Sequence, residues 1–303
     1  MRKGRLIYTT LPFPTVPNTG RWVPKEWNGL DVITNTKNIN GRGVWTDGTN
    51  IYYSWSQYQL VLHGNTWEPK EWNIDGFYGY AVWTDGKNIY LDYPYGNAQH
   101  YVLVNGIWEP HSWNVEIDGE GVWSDGENIY CTLRTTDVVE RDDSYVLKDG
   151  IWEPKAWNGL DGVTDFYGSN IWSDGVNIYH DMNYMYSKHA VLVGDTWQEH
   201  NWNIKYVDAT KIWTDGVNIY CNLFSSPSFS YVLQGDAWER KEWDFYPADV
   251  GCIWTDGVNI YYSLNEDQYV LERTQPQDLD PSSMLIGWLA GRAVAGQRLH
   301  VKQ

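Results

Sequence analysis

Three histidines, His180, His189 and His200, fall within one 21-residue stretch, and the run Glu140-Arg141-Asp142-Asp143 sets three carboxylates close together. Such groups can ligate a metal or move protons. Neither set carries the spacing of a metal site or of a nucleophile and its base. His180 stands where equivalent segments have Tyr, Leu or Cys, so it reads as a core substitution, and Glu140–Asp143 reads as a solvated loop. Six further aspartates, Asp47, Asp85, Asp125, Asp174, Asp215 and Asp256, recur at regular intervals. Calcium would need several oxygens converging on one point, and residues spaced by whole structural units do not converge. Turn chemistry is the better reading. The three cysteines lack ligand spacing, and Cys131 and Cys221 occupy the same position in different units, which suits buried apolar residues in a reducing compartment. The expectation is a protein without catalytic residues, metal or cofactor.

The elements that position these residues are repeated. "IWTDGVNIYC" (Ile212–Cys221) and "IWTDGVNIYY" (Ile253–Tyr262) differ by one letter, and looser copies begin at Val44, Val82, Val122 and Ile171. Their tryptophans, Trp45, Trp83, Trp123, Trp172, Trp213 and Trp254, are 38 to 49 residues apart, a period that marks a solenoid, propeller or array. Within each copy an apolar run ends at Asp-Gly-x-Asn and a second run begins, which predicts a β-hairpin, strands a and b. A "YVL"-like run, a Gly-containing turn and a Trp five residues after the Leu predict a second hairpin, strands c and d. Another Trp follows five residues later, as in "WEPKEWN" from Trp67 to Asn73. Four short antiparallel strands per unit is the size of a propeller blade.

The sixth copy stops after strand c, at Tyr269–Thr274, while an orphan d strand with Trp22 and Trp27 lies at Gly20–Leu30. The units balance when the N-terminal segment completes the last blade. The predicted fold is all-β: a six-bladed propeller at 20–275, a basic arm at 1–19, and a linker with a short apolar helix at 276–303. Eighteen of the twenty tryptophans belong to the repeat and read as inter-blade packing. Burying each removes about 150–250 Å² from water, roughly 4–6 kcal/mol of gross stabilisation.

The order strand a, glycine turn, "NIY" strand b, then Tyr and Trp further on resembles the kelch repeat over about residues 20–275. It departs from kelch where strand b should end in Gly-Gly, for here stand Tyr53-Ser54, Cys131-Thr132 and Cys221-Asn222. The wording from Trp157 to Tyr179, "WNGLDGVTDFYGSNIWSDGVNIY", is similar to repeat proteins of phage and prophage virion gene clusters, and "PSSMLIGWLAGRAVAGQR" (Pro281–Arg298) is similar to their short apolar tails. That resemblance implies a tail- or capsid-associated virion protein made in the bacterial cytoplasm.

Strand order assigns the a–b and c–d turns to one end of the ring, and the variable b–c and d–a loops to the other. Loops held by a rigid scaffold are where binding residues concentrate. Their aromatics include Phe77, Tyr78, Tyr95, Tyr167, Tyr184, Tyr186, Phe229 and Tyr246, suited to a glycan or a protein partner. Asp280 or Ser282 can cap a C-terminal helix with Pro281 in its first turn. Gly287, Gly291 and Ala295 recur every four residues beside Trp288 and Arg292, a stripe permitting close helix packing. That helix either folds back on the propeller or inserts into another subunit, and the closed ring favours the second.

Composition narrows the partners. The formal charge is −17, and residues 1–21 and 282–303 hold seven cations and no acid, leaving the middle at −24. An acidic body excludes nucleic acid, whose recognition needs clustered Lys and Arg. "LIYTTLPF" is too short and Pro-broken for a signal peptide, and no stretch approaches the ~20 apolar residues of a spanning helix. The expected function is host-surface adhesion or particle decoration by a propeller anchored through its ends. The alternatives are a free cytoplasmic kelch-like interaction scaffold and a glycan-active enzyme.

Overall fold

The structure is a computed structural model, describing residues 20–30, 39–93, 99–132, 144–159, 168–181, 189–205, 207, 209, 212–223, 229–243, 253–264 and 267–272. The predicted N-terminal arm and C-terminal helix, including Gly287, Trp288, Gly291, Arg292 and Ala295, lie outside these residues.

Six four-stranded antiparallel sheets follow one another along the chain. After β1 (Arg21–Pro24), blade 1 holds β2 (Val44–Thr46), β3 (Ile51–Trp55), β4 (Tyr58–His63) and β5 (Thr66–Pro69). Blade 2 holds β6 (Val82–Thr84), β7 (Ile89–Tyr93), β8 (Gln99–Val104) and β9 (Ile107–His111). Blade 3 holds β10 (Val122–Ser124), β11 (Ile129–Thr132), β12 (Ser144–Lys148) and β13 (Ile151–Pro154). Blade 4 holds β14 (Ile171–Ser173), β15 (Ile178–Asp181), β16 (His189–Val193) and β17 (Thr196–His200). Blade 5 holds β18 (Ile212–Thr214), β19 (Ile219–Leu223), β20 (Phe229–Gln234) and β21 (Ala237–Lys241). Blade 6 is β22 (Ile253–Thr255), β23 (Ile260–Leu264), β24 (Asp267–Glu272) and, as its outer strand, β1. The fold is the all-β, six-bladed propeller that the repeat predicted.

β1 closes the ring by pairing antiparallel with β24. Trp22 pairs with Leu271, Val23 with Val270 and Pro24 with Tyr269. Arg21 pairs with Glu272, and its guanidinium bonds the Glu272 carboxylate at 2.9 Å. Each outer strand leaves an edge in water, and exposed Pro24, Pro69, Pro110 and Pro154 lie on four of the six. Proline cannot donate to a ladder, so it blunts pairing with another chain.

The repeated tryptophans form one trio at each blade boundary. Between blades 1 and 2 these are Trp45 on β2, Trp72 after β5 and Trp108 on β9, with ring centres 5.7 to 5.9 Å apart. The other boundaries repeat the arrangement with Trp83, Trp113 and Trp152; Trp123, Trp157 and Trp197; and Trp172, Trp202 and Trp238. The last two are Trp213, Trp243 and Trp22, then Trp254, Trp27 and Trp67. The N-terminal segment thus supplies a ring to each of the two boundaries of blade 6. Tilted and edge-on contacts at these separations add attraction beyond area burial.

Three-residue 3-10 turns precede the innermost strands at Gly41–Gly43, Gly79–Ala81, Gly119–Gly121 and Gly168–Asn170, and successive turns touch. A Cβ on Gly79 would lie 2.2 Å from the Gly43 carbonyl oxygen. Only glycine allows that approach.

Removing Trp22 empties one trio and loosens closure together. Trp22→Ala should cost about 3–5 kcal/mol in urea unfolding, and removing residues 1–27 should cost more and broaden the transition. An unchanged midpoint in the truncated chain would contradict ring closure through β1.

Candidate functional site

Each a–b hairpin holds its aspartate in a closed set of hydrogen bonds. Asp47 Oδ1 accepts from the backbone N–H groups of Thr49 and Asn50, and Oδ2 accepts from Asn50 Nδ2 and the Tyr52 hydroxyl at 2.8 Å. Thr46 Oγ1 accepts from Gly48 N–H and donates to the Asn50 carbonyl. The Tyr52 ring stacks on Trp45 at 4.5 Å, so the turn is tied directly to the tryptophan trio. The remaining blades repeat the hydroxyl bond through Tyr90–Asp85, Tyr130–Asp125, Tyr179–Asp174, Tyr220–Asp215 and Tyr261–Asp256. Burial opposes ionisation of Asp47, but the donors around it hold its carboxyl below the usual range. Burial, followed by the aspartate beside each hydroxyl, pushes Tyr52 and Tyr90 up to about 12 and raises Tyr130, Tyr179 and Tyr261 also. The motif Ser/Thr-Asp-Gly-x-Asn-Ile-Tyr is a turn latch. Among the described residues no three His, Cys, Asp or Glu side chains gather as metal ligands.

A second set of polar residues lies inside the blades, nine positions after the first tryptophan. Ser54, Asp92, Thr132, Asp181, Asn222 and Ser263 are all buried, and each accepts the Nε1–H of that tryptophan, as in Trp45–Ser54 at 2.9 Å and Trp83–Asp92 at 2.5 Å. In blades 2 and 4 the acceptor is a carboxylate. Asp92 lies 2.8 Å from His100 Nδ1 and accepts from Trp113 at 3.1 Å, and Asp181 lies 2.9 Å from His189 Nδ1 and accepts from Trp202 at 3.2 Å. The same blades set His111 and His200 edge-on to Trp113 and Trp202 at 4.2 Å. Elsewhere Lys25, Lys70, Lys155 and Lys241 lie over the faces of Trp27, Trp72, Trp157 and Trp243. Carboxylate, paired histidine and capping histidine therefore change together, as one buried packing unit. His180 is fully buried, and burial followed by the charge of His189 lowers it to about 3, which keeps it neutral. Cys131 and Cys221 are buried free thiols, with Cys131 pushed up by burial.

One aromatic group on the variable face stands apart from this framework. Trp55, at the end of β3, is the described tryptophan that belongs to no trio. Its ring meets Tyr78 at 5.3 Å and 83° and Tyr80 at 6.3 Å and 73°, while Tyr78 and Tyr80 stack at 5.2 Å. All three are half-buried. The two segments carrying them are joined by a bridge between Trp55 and Tyr78 and by Gln59 Nε2, which donates to the carbonyls of Ser56 and Phe77. A Cβ on Gly76 would lie 2.0 Å from the Ser56 carbonyl oxygen, so the loop follows the turn closely.

Of the loop residues singled out from the sequence, Tyr78 joins this group. Phe77, read there as a loop aromatic, is instead core: it is 4 % exposed and packs on Trp45, Trp72 and Trp108. Phe229 opens β20 opposite Leu223. Tyr95, Tyr167, Tyr184, Tyr186 and Tyr246 lie outside the described residues. Trp55 and Tyr80 were missed, although Trp55 interrupts the repeat at a position where no other unit has tryptophan.

No protein-family model matches the chain, and no curated protein matches its sequence. Similar solved structures include YCF48 bound to D1 peptide, at 10% identity over 88% of this chain and 99% of that one, TM-score 0.46. A gluconolactonase from Xanthomonas campestris shares 8% identity over 83% and 95%, TM-score 0.48. The WD40 β-propeller domain of Doa1 shares 7% over 75% of each chain, TM-score 0.41. At these scores no argument passes from them to this chain, and the architecture rests on its own sheets.

The tyrosines are latched as neutral hydroxyls. Tyr52, Tyr90, Tyr130, Tyr179 and Tyr261 are raised above the ordinary 10.0, so their contribution to stability is fully present below pH 10 and falls from there through about pH 12. Denaturation midpoints measured across that range should fall steeply, with tyrosine absorbance titrating in the same window. A flat profile would contradict the latch. Asp181→Ala should cost about 3–5 kcal/mol, because it leaves His189 and two indole N–H groups buried without their acceptor. Asp181→Asn should cost less.

Proposed function

We propose that this chain is a non-enzymatic recognition propeller, a kelch-like component of a phage or prophage virion. It is anchored at one end of the ring and presents variable loops at the other. The observation that carries this reading is the position of the chain ends. Arg21 and Glu272 pair where the other blades have their c–d turns, so the chain enters and leaves the propeller on the constant face. Both flanking segments are basic, and the face they leave carries the turn aspartates together with Asp149, Asp195 and Asp236. The Trp55 group lies on the opposite face. Anchoring and recognition are thus separated by the full height of a blade.

The virion context is supported by the sequence likeness of Trp157–Tyr179 and Pro281–Arg298. Absence of catalysis is supported by the saturation of the inner carboxylates, since Asp92 and Asp181 are spent on indole and imidazole partners. Among the described residues no helix is long and apolar enough to cross a membrane.

Deletion of residues 281–303 should leave the melting temperature of the propeller unchanged and abolish its co-sedimentation with particles from an induced lysogen. Full retention on particles would overturn anchoring through this end. Partner capture that is indifferent to the deletion would point to a free cytoplasmic scaffold. Release of reducing sugar that depends on one carboxylate would make the protein an enzyme.

A further inference from the structure

We propose that the C-terminal segment of this chain, residues 282–303, docks in cis on the constant face, across the a–b turns of blades 4, 5 and 6. The seat is apolar. Val176, Val217 and Val258 fill the variable position of Asp-Gly-x-Asn in three consecutive blades, where blades 1 to 3 have Thr49, Lys87 and Glu127. Val176 is 74% exposed and Val258 75%, while Val217 is half-buried. Their hairpins use only the backbone N–H at this position, which donates to the turn aspartate, so the isopropyl groups serve no contact within the turn. The other large apolar side chains exposed among the described residues, Ile107, Ile151 and Val193, flank c–d turns and lie on the same face. Apolar side chains gathered on one face mark a docking surface.

Reach, composition and charge select the occupant. The last described residue, Glu272, ends β24 on this same face. Ten residues lead from it to Ser282, enough to span roughly 35 Å when extended, and a compact domain of this length has a radius of gyration of about 18 Å. Residues 282–303 combine apolar side chains, Ile286, Trp288, Leu289 and Val294 among them, with Arg292, Arg298, Lys302 and no acid. The seat is their complement. Each valine stands two residues after a turn aspartate, Asp174, Asp215 or Asp256, and Asp195 and Asp236 are exposed on the c–d turns of blades 4 and 5. Lys155 and Lys241 offset Asp195 and Asp215 in part, and the balance of these five acids stays negative. Tethering holds the segment at a local concentration on the order of millimolar, which favours docking in cis over capture by a second copy. The proposal rests on the reading of this face as the anchoring end and adds what covers it in the free chain. A seat that yields its occupant to a particle subunit holds it weakly and adds little to the melting temperature.

Double electron–electron resonance on the full chain tests this, with spin labels at Thr49→Cys and Gln297→Cys and the three native cysteines replaced. Thr49 is exposed on the blade 1 turn, outside the seat. Labelled chain is diluted into excess unlabelled chain, so that only distances within one molecule survive. A defined distance component is expected. Val176→Ser combined with Val258→Ser should lower the ratio of docked to undocked chains roughly tenfold, the order expected when two valines lose their burial. Arg292→Glu with Arg298→Glu should lower it less, and by an amount that shrinks as salt rises. The valine variant should melt close to the parent, because both side chains stand in solvent on their own turns. A defined component that disappears on spin dilution would place the segment on a second copy and overturn docking in cis. One that ignores the valine substitutions would overturn the seat. A broad distribution under all conditions would overturn the proposal and leave particle anchoring to be judged by co-sedimentation alone.

Discussion

The structure depends on one repeated contact, three indole rings meeting at each blade boundary. A four-stranded antiparallel sheet has two faces to cover, and a single blade covers neither. Each trio draws one ring from the inner strand of a blade, one from the segment leaving that blade and one from the outer strand of the next. A boundary is complete only when both neighbours are present, so six boundaries demand a ring. The two rings brought by the N-terminal segment, Trp22 and Trp27, finish the last two of them. Stability and closure are consequently the same property, and the short pairing of β1 with β24 carries more than its four residues suggest.

Around this frame the turn aspartates and the two inner carboxylates are consumed as structure. The turn aspartates accept from their own hairpins, and their tyrosines stack back onto the trio, so the rim and core of each blade are mechanically continuous. The two inner carboxylates replace the hydroxyl or amide of the other blades and bring histidines with them. A buried carboxylate requires full compensation, which explains why Asp92 and Asp181 each appear with a histidine and a second indole N–H.

Much of this was legible in the sequence because it is periodic. The hairpins follow from Asp-Gly-x-Asn between apolar runs, closure from the missing sixth outer strand, and trio packing from the paired tryptophans five residues apart. The inner polar position was equally periodic, always nine residues after "W", but a polar residue inside a strand reads as solvent-facing until the neighbouring blade is in place. Phe77 and Tyr78 show the opposite limit. They are adjacent aromatics in one loop, yet Phe77 turns into the trio of Trp45, Trp72 and Trp108, while Tyr78 joins Trp55 and Tyr80. That division depends on cross-blade contact, which no local pattern encodes. The Trp55–Tyr78–Tyr80 group combines a turn residue with a loop some twenty residues away, and only the fold unites them.

The central claim is geometric: the chain enters and leaves the ring side by side, on the face opposite the variable loops. Spin labels at Arg21→Cys and Glu272→Cys, in a background with Cys131, Cys221 and Cys252 replaced by serine or alanine, measure it directly by electron paramagnetic resonance. Paired antiparallel residues lie about 4.5–5.5 Å apart at their Cα atoms, so the account requires one short, narrow distance that disappears in denaturant. A long or broad distribution in the native protein would mean that β1 does not close blade 6, and the proposed division into an anchoring face and a recognition face would fall with it.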